Sequence, residues 1–295
     1  MPTVSVIIPC FNTGEFIEEC VESVVGQDVP EMEVIIVDDG STEAATLDAL
    51  ERLTAKYRNH RIIRTHHHNV GQARNTGFAH SSGRFVLFLD SDDTIGKDFL
   101  SATIRELEGR PDCGMAFTEV ELFGLMSGIL QTGPLVFQGE IYFDNYLHPS
   151  AVVRREAIGV SGGFNPNLVS YEDWDFWITL HEAGVKFVKA RNVLAFYRRR
   201  ENSKLIQNQA RRPYLINQLV LNHKEAYGRL FLSPIGDREE RDVRGLLRAA
   251  SERPADADIW KLLRNTRLYR QFLCYSAMYR GLRKLLAPIV IRRKD

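Results

Sequence analysis

The sequence lacks the features that usually mark a secreted or membrane-spanning protein. Its 295 residues contain only four cysteines, widely spaced and without a CxxC pair: Cys10, Cys20, Cys113 and Cys274. This spacing is typical of neither a zinc cluster nor a disulfide-rich secreted scaffold, and it favours reduced thiols. The first apolar run follows no basic segment and is too short for a signal peptide or a membrane span. We therefore expect a cytoplasmic protein whose N-terminus enters the fold directly.

Net charge is absent as well, because 38 lysines and arginines balance 38 aspartates and glutamates. The molecule as a whole therefore has no electrostatic preference for nucleic acid. Glycine-rich loops of the Walker or Rossmann type are also missing, so a bound nucleotide must be held in another way. A hydrophobic content of 44% is enough for one large α/β domain with an appendage.

The sequence does contain alternating strand and helix patterns. Apolar runs at 4–8, 33–37 and 83–89 predict buried parallel strands, the first ended by Pro9, and helical spacing at 15–25, 44–57 and 72–80 predicts the helices between them. Weaker patterns predict strands at 114–123 and 139–143 and a helix at 174–183. From about Lys204 the pattern is helical, with candidate breaks at Pro213 and 236–244. We expect a doubly wound α/β domain at 1–205 and a helical extension at 206–295.

Polar clusters follow the first three predicted strands, where open α/β sheets bind ligands. They have the sequences CFN at 10–12, DDGST at 38–42 and DSDD at 90–93. Three aspartates within four residues concentrate negative charge, which raises carboxyl pKa values. A divalent cation would offset this charge, and carboxylate oxygens suit Mg²⁺ or Mn²⁺. The alternative is a helix N-terminus whose aspartates only cap the helix.

Five motifs in order carry a family resemblance: VSVIIPCFN at 4–12, EVIIVDDGST at 33–42, NVGQARNTG at 69–77, FVLFLDSDD at 85–93 and YEDWDFW at 171–177. Over roughly the first two hundred residues the chain resembles family 2 of the glycosyltransferases. The resemblance implies a GT-A fold, with a Rossmann-like, mostly parallel central sheet flanked by helices. It also implies a nucleotide-sugar half at about 1–112, an acceptor half at 113–205, and inverting, metal-dependent sugar transfer from a nucleotide diphosphate sugar.

The same resemblance assigns the donor site. Pro9, Phe11 and Asp39 would line the nucleobase pocket, with Asp39 accepting a hydrogen bond from the base. Asp92 would bind the ribose, and Asp93 would bind the Mn²⁺ or Mg²⁺ that bridges the phosphates. The residues expected to bind the donor are Pro9, Phe11, Asp38, Asp39, Arg74, Asp90, Asp92 and Arg200, and those expected to bind the metal are Asp93 and Asp92.

Two arginines in this set have particular roles. Arg74 would reach the base or the phosphates, or would alternatively be a surface ion-pair partner. Asn75 and Gly77 would shape the turn into the helix, or Gly77 would serve only close packing. Relatives often have a metal-binding histidine at the position of Arg200. A guanidinium stays protonated and cannot bind a metal, so Arg200 would grip the diphosphate directly. We therefore expect a metal that is required but weakly held.

The acceptor side is expected at the start of the helix predicted near 174–183. By the resemblance, Asp173 would be the base that takes the acceptor proton, with Glu172 as the alternative. Trp174 or Trp177 would stack on a sugar ring. From the residues alone, the same stretch predicts helix N-terminal carboxylates above buried aromatics. The preceding Gly162 and Gly163 suit a mobile loop.

The histidines have competing interpretations. His148 would face the acceptor or the phosphates, or would be structural. Residues 66–68 are consecutive histidines, and consecutive strand residues point to alternating faces. We expect a polar strand end there rather than a metal site.

The C-terminal segment is basic and amphipathic from Arg264 onward. It predicts either a helix at an anionic membrane interface, which would suit a lipid-linked acceptor, or a helix packed on the catalytic domain or a second subunit. Its basic residues are Arg267, Arg270, Arg280, Arg283, Lys284, Arg292, Arg293 and Lys294.

We expect transfer from a UDP-sugar to a hydroxyl of a glycan or lipid-linked acceptor, in polysaccharide or cell-envelope glycoconjugate synthesis. A membrane contact would be peripheral and on the inner face. The alternatives are a sugar nucleotidyltransferase and an inactive nucleotide-sugar-binding module.

Overall fold

The computed structural model describes residues 3–57, 60–130, 132–133, 138–201 and 204–292, with only the backbone at 138, 204–209 and 282–292. The chain divides into two compact units. One contains residues 1–133 and 146–200, and the other contains residues 134–145 and 201–295.

The first unit is built on one sheet, whose strands within the described residues are β1 Val4–Cys10, β2 Met32–Asp38, β3 His60–Arg64, β4 Phe85–Phe88, β5 Thr94–Ile95, β6 Cys113–Gly124, β7 Gly128–Leu130, β8 Val152–Arg154 and β9 Lys186–Arg199. Their order is β3-β2-β1-β4-β8-β6-β9-β5, and β7 pairs with β6. Strands β1 to β4 pair in parallel, and β8 is antiparallel to β4 and β6. Strand β9 is parallel to β6, whereas β5 and β7 are antiparallel to β9 and β6. The predicted α/β sheet is confirmed as a mixed sheet in which β1 to β4 are parallel.

Helices flank this sheet: α1 Ile17–Val25, α2 Ala44–Lys56, α3 Val70–Ala79, α4 Phe99–Glu108, α5 Arg155–Ser161 and α6 Glu172–Glu182. Every residue of β1 is buried, as expected for a central strand covered on both faces. Val4, Val6 and Ile8 join the core that contains Ile17 of α1. On the other face, a Cβ atom at Gly77 of α3 would lie 2.3 Å from Ile7 Cγ2.

This contact decides the role of Gly77. The prediction that Asn75 and Gly77 shape the turn into a helix is wrong, because α3 already begins at Val70. Asn69 caps it by accepting a hydrogen bond from the Gln72 amide at 3.0 Å. The alternative interpretation of Gly77 is confirmed, because it permits close packing of α3 on β1.

Strand β1 continues through Pro9 to Cys10, where Pro9 lies opposite Val37. The prediction that Pro9 ends this strand is wrong. Leu89 donates to the Ile7 carbonyl and Asp39 donates to the Cys10 carbonyl, so the nitrogen of Pro9 faces the β4 side of β1. There β4 ends opposite Ile7, and the missing N–H of proline costs no ladder hydrogen bond.

Three other sequence predictions differ from the structure. Edge strand β3 was missed because its burial is only partial. Residues 66–68 follow it in a loop rather than forming a strand end. The strand predicted at 139–143 is a 3₁₀ helix at Gln138–Tyr142. The consecutive residues Glu140, Ile141 and Tyr142 are all buried in it. The apolar residues there are therefore buried in a helical turn and not in a strand.

The second unit is helical, as predicted, with α7 Lys204–Asn222, α8 Lys224–Leu230, α9 Asp237–Glu252, α10 Ala257–Asn265 and α11 Arg267–Arg292. The predicted break at Pro213 is wrong, because this residue lies inside α7. The other candidate, 236–244, begins at the cap of α9, where the chain between α8 and α9 ends. A proline inside a helix costs about 3 kcal/mol. Burial of Leu215, Ile216 and Leu219 on the turns after Pro213 offsets that cost.

Helix α11 contributes Leu268, Phe272, Ser276 and Tyr279 to the interior, at the spacing of one helix face. The Ser276 hydroxyl donates to the Phe143 carbonyl at 3.0 Å. Among the described residues, no helix is long and apolar enough to span a membrane. The side chains of Arg283, Lys284 and Arg292, and all of residues 293–295, lie outside the described part of the chain.

Candidate active site

Phe11 opens the site after β1. Its side chain is 47% exposed, and its ring meets His68 edge-on at 5.4 Å. Asn12 adopts a φ of 52°, and its Oδ1 accepts from the Thr42 amide at 2.9 Å. The loop after β1 is thus tied to the loop after β2, while the Phe11 ring stays available. Buried Pro9 lies beneath this loop.

The Asp38 and Asp39 carboxylates are buried; Asp38 orders the loop after β2, and Asp39 ties that loop to the loop after β3. Asp38 Oδ1 accepts from the Ser41 amide at 3.0 Å. Asp39 accepts from the Thr65 hydroxyl at 2.7 Å, the His67 amide at 2.8 Å and the Asn69 amide at 2.7 Å. Asp39 therefore orders residues 65–69, the loop that carries the three histidines.

Arg74 lies at the centre of the site and is 1% exposed, so it is no surface ion-pair partner. Its Nη1 donates to Glu172 Oε1 at 2.8 Å and its Nη2 donates to Asp90 Oδ1 at 2.6 Å. Burial opposes its charge, but the carboxylates of Asp90 and Glu172 outweigh burial and raise the pKa of Arg74. This guanidinium brings together two acidic motifs that are far apart in sequence.

The turn after β4 presents the three aspartates in different environments. Asp90 bonds Arg74, and its side chain is 30% exposed. Asp92 forms an ion pair with Arg200, whose guanidinium also lies 5.0 Å from the centre of the Phe16 ring. Burial and the nearby Asp90 raise the pKa of Asp92.

Asp93 is fully buried and incompletely satisfied. Its Oδ1 accepts from the Arg198 amide at 2.9 Å, whereas Oδ2 has no hydrogen-bond partner. The Nε2 atom of His148 lies 3.5 Å from Oδ2. Burial, followed by the charges of Asp92 and Asp90, raises the pKa of Asp93 well above its usual value. Burial also lowers the pKa of His148 to about 4.

The acidic pair Glu172 and Asp173 begins α6 directly after Tyr171. Tyr171 has a φ of 62°, an unusual conformation for a bulky residue that costs on the order of 1 kcal/mol. Glu172 is buried and bound to Arg74, while Asp173 is half-buried and close enough to raise the pKa of Arg74. The pair is therefore divided into an anchored carboxylate and an accessible one.

The two tryptophans are not arranged for sugar stacking. Trp177 is fully buried, with its ring centre 5.1 Å from that of Phe176, and Trp174 is 3% exposed. The stacking prediction is wrong for Trp177, whose ring has no surface left for a ligand, and Trp174 offers almost none. The interpretation of these residues as buried helix aromatics is the better one.

Sequence reasoning did not single out Arg198 and assigned Asn75 only to a turn. The Arg198 amide bonds Asp93, its Nε donates to the Asp92 carbonyl at 2.9 Å, and its guanidinium packs on Phe16 and Phe123. Side chains two residues apart leave a strand on the same face, and Arg198 and Arg200 both contact Phe16. Because Arg200 was expected to bind the donor, the position of Arg198 two residues earlier is the sequence signal that could have placed it at the same site.

Asn75 connects α3 to the segment before α6. Its side chain donates to the Phe164 carbonyl at 2.7 Å and accepts from the Phe164 amide at 2.9 Å. The Phe164 ring stacks on Phe176 at 4.3 Å and lies 5.1 Å from the Arg74 guanidinium. Gly163 has a φ of +85°, and a Cβ there would approach Asn75 Oδ1 to 2.7 Å.

The site has donors that suit a divalent cation but no preformed cage. Within the described residues, no three histidine, cysteine, aspartate or glutamate side chains are grouped as a metal site. Asp93 Oδ2, however, is a buried carboxylate oxygen without a hydrogen-bond partner, which is costly unless a cation or donor reaches it. A metal with few protein ligands can complete its shell with phosphates and water.

Comparison with known proteins identifies the family. The model of glycosyl transferase family 2 matches residues 5–122. The Bacillus subtilis teichuronic acid biosynthesis glycosyltransferase TuaG is 31% identical over 209 residues, which cover 68% of this chain and 81% of TuaG. The Escherichia coli chondroitin synthase is 28% identical over 62% of this chain, and the match spans only 27% of the synthase.

Solved structures show the same fold. S. aureus TarS residues 1–349 in complex with UDP-GlcNAc match with a TM-score of 0.64 and 20% identity, covering 96% of this chain and 92% of that chain. The Pyrobaculum calidifontis mannosyltransferase PcManGT, in complex with GDP-Man and Mn²⁺, matches with a TM-score of 0.60 and 20% identity, covering 96% and 87%. The fold is therefore GT-A, and the chain belongs to family 2 of the glycosyltransferases.

Proposed function

We propose that this glycosyltransferase moves a sugar, with inversion and with the help of a divalent cation, from a nucleotide diphosphate sugar to a hydroxyl of a glycan or lipid-linked acceptor. The observation that carries the proposal is the buried Arg74 bridge between Asp90 and Glu172. Through it, the acidic turn after β4 and the acidic start of α6 form one site. Residues 1–112 would then supply most of the donor half, and 113–205 the acceptor half, of the catalytic domain.

The donor would bind at the loops after β1 and β2. The exposed Phe11 ring suits contact with a nucleobase, with Pro9 and the Asp38–Asp39 loop beside it. TarS was solved with UDP-GlcNAc, which supports a UDP-sugar, although PcManGT was solved with GDP-Man. Arg200, paired with Asp92, is placed on the exposed side of the acidic turn and would bind a diphosphate oxygen.

Asp173 would act as the base. Arg74 holds the buried Glu172, so Asp173, which is half-buried, is the more exposed member of the acidic pair. The acceptor oxygen would form a bond to the anomeric carbon while its proton passes to the Asp173 carboxylate. The bond from the anomeric carbon to the diphosphate oxygen would break on the opposite side. A cation held by Asp93 would offset the charge of the leaving diphosphate.

Nucleoside diphosphate release from a panel of nucleotide sugars, with Mn²⁺ or with excess chelator, tests the donor and metal assignments. We expect release from a UDP-sugar with Mn²⁺ and little release in chelator. Full activity in chelator would contradict the metal requirement. Release only from GDP-sugars would contradict the UDP preference.

The variant Asp173→Asn tests the base. Removing a general base typically costs on the order of 10²- to 10⁴-fold in kcat, and the KM for the donor should change little. Glu182→Gln, at the other end of α6, is the matched control. Wild-type kcat in Asp173→Asn would reject Asp173 as the base.

The basic face of α11 is proposed to contact an anionic membrane peripherally. Arg270 and Arg280 are exposed, as are Leu273 and Met278. Truncation before α11 would remove buried Leu268 and Phe272, so the full chain should be tested.

Co-sedimentation with anionic liposomes should weaken in the double variant Arg270→Gln, Arg280→Gln. It should not weaken in the control Arg241→Gln, Arg248→Gln on α9. Equal binding by both variants would reject the membrane contact.

A further inference from the structure

His148 lies just before β8, beside the deepest carboxylate of the site. Its side chain is 11% exposed, and its Nε2 lies 3.5 Å from Asp93 Oδ2. That separation is long for a hydrogen bond, for which about 2.7–3.2 Å is usual. Two atoms that each lie about 2.1 Å from one metal ion are at most about 4.2 Å apart. The two atoms are therefore close enough to share an ion.

The surroundings of His148 hold its ring in this direction. The Ser150 amide donates to Nδ1 at 3.3 Å, and Ser150 Oγ lies 3.2 Å from the same nitrogen. The ring packs against Tyr197 at 4.8 Å. Donation by the Ser150 amide favours the tautomer with its proton on Nε2, facing Asp93 Oδ2. A bound cation requires the other tautomer, in which Nδ1 gives up the amide's hydrogen bond and donates to Ser150 Oγ, and Nε2 turns a lone pair toward Asp93. A cation between the two groups would make that arrangement favourable. Metal-binding histidines are commonly oriented by such a hydrogen bond on the other ring nitrogen.

We propose that His148 Nε2 and Asp93 Oδ2 bind the same divalent cation. His148, from the segment before β8, would supply the nitrogen ligand that Arg200 at the end of β9 cannot provide. The inference rests on the proposed function, because it assigns a second protein ligand to the cation of that site.

A histidine ligand has a consequence for metal choice. Imidazole nitrogen binds later transition metals better than Mg²⁺, which prefers oxygen. Affinity should therefore rise from Mg²⁺ through Mn²⁺ to Co²⁺, and replacing His148 should reduce binding of Mn²⁺ and Co²⁺ more than binding of Mg²⁺.

Pulsed electron paramagnetic resonance of Mn²⁺ bound to the wild-type chain with UDP tests the ligand directly. We expect modulation from a coordinated ¹⁴N nucleus, which changes to the ¹⁵N pattern when the protein is grown with ¹⁵N-histidine. Bound Mn²⁺ without any histidine-nitrogen modulation would overturn the proposal. This measurement needs no variant and therefore does not depend on whether a variant folds.

The variant His148→Gln provides the second measurement, with His80→Gln as the control, since His80 is exposed at the end of α3. Titration of free Mn²⁺ by its resonance signal should show at least roughly tenfold weaker binding in His148→Gln, together with loss of the histidine modulation. No change in the control is expected. Unchanged Mn²⁺ binding in a folded His148→Gln would also overturn the proposal.

The two proposals fail in different ways. If no Mn²⁺ binds to the wild-type chain with UDP, the metal-dependent function itself fails. If Mn²⁺ binds and transfer occurs, but the histidine-nitrogen signal is absent, only the role of His148 fails.

Discussion

Two acidic pairs follow β2 and β4, the strands on either side of β1, yet their surroundings differ. Asp38 and Asp39 receive hydrogen bonds from backbone amides and a hydroxyl, which tie loops together. Asp92 and Asp93 crowd against Asp90, have raised pKa values, and leave Asp93 Oδ2 without a hydrogen-bond partner. The comparison teaches that acidic residues alone do not mark a ligand site. A buried carboxylate oxygen that the fold leaves without a hydrogen-bond partner is the better sign of a ligand site.

The largest effect is expected for Asp93→Asn. Sugar transfer should fall at least about 100-fold, because the cation loses its buried carboxylate. In chelator, the free energy of unfolding should stay equal or rise, since burial and the charges of Asp92 and Asp90 disfavour the charged form of Asp93 in the fold. Kinetics and urea unfolding measure these effects, with exposed Asp98→Asn as control. Sugar transfer at the wild-type rate in Asp93→Asn would contradict the distinction between the Asp92–Asp93 pair as a ligand site and the Asp38–Asp39 pair as a structural one.

His148 should make stability depend on pH. The folded state keeps His148 neutral down to about pH 4, whereas the unfolded state takes up a proton below about pH 6.5. The neutral His148 therefore contributes fully to the free energy of unfolding above pH 6.5. That free energy falls by roughly 3 kcal/mol as the pH decreases from 6.5 toward 4, because only the unfolded state takes up the proton.

Urea unfolding in chelator across this range should show a weaker pH dependence in His148→Gln than in the wild-type chain. His80→Gln should follow the wild-type curve. Parallel curves for His148→Gln and wild type would show that His148 is not buried neutral beside Asp93.

Asp39→Asn should lower the free energy of unfolding by about 1–3 kcal/mol, because the amide cannot accept from all three donors and leaves at least one buried N–H or hydroxyl unsatisfied. Denaturant unfolding provides the measurement. Asp38→Asn should cost less, because Asp38 has the smaller set of described donors. If Asp93→Asn lowered the free energy of unfolding as much as Asp39→Asn does, the two carboxylates would not differ in their structural role.

The smallest effect on stability is expected for Arg200→Ala, at most about 1 kcal/mol, because its ion pair with Asp92 is partly exposed. Binding of UDP, measured by calorimetry, should nevertheless weaken several-fold, with Arg200→Lys intermediate. Unchanged UDP affinity in Arg200→Ala would mean that this arginine serves only Asp92.

Much of the fold could be predicted because it depends on local patterns. The β-branched runs of β1 and β2 and the helical spacing of α1 and α2 reflect burial on both faces of a sheet. Strand β3 escaped because an edge strand is only partly buried. The 3₁₀ helix at Gln138–Tyr142 was mistaken for a strand because a short buried run has no clear period.

The candidate site was predicted as a set of residues but not as a network. Arg74 and Glu172 are separated by 98 positions, and Asp93 and the Arg198 amide by 105. No local period reports contacts at such distances. Trp177 was misassigned for a related reason, since an aromatic residue in a helix that begins with acidic residues has the same local pattern whether its ring faces a ligand or the core.

The sequence by itself determined the parallel strands and the positions of the acidic motifs, because strand and helix periods follow from local burial. It also determined that Arg200 cannot bind a metal. Only the tertiary structure decided which carboxylates are satisfied. Arg74 engages Glu172 and leaves Asp173 as the more exposed member of the pair. The Arg198 amide satisfies Asp93 Oδ1, while Oδ2 has no hydrogen-bond partner and lies 3.5 Å from His148 Nε2. Those partners come from distant strands and helices, and only the packing of the sheet brings their charges within reach of each other.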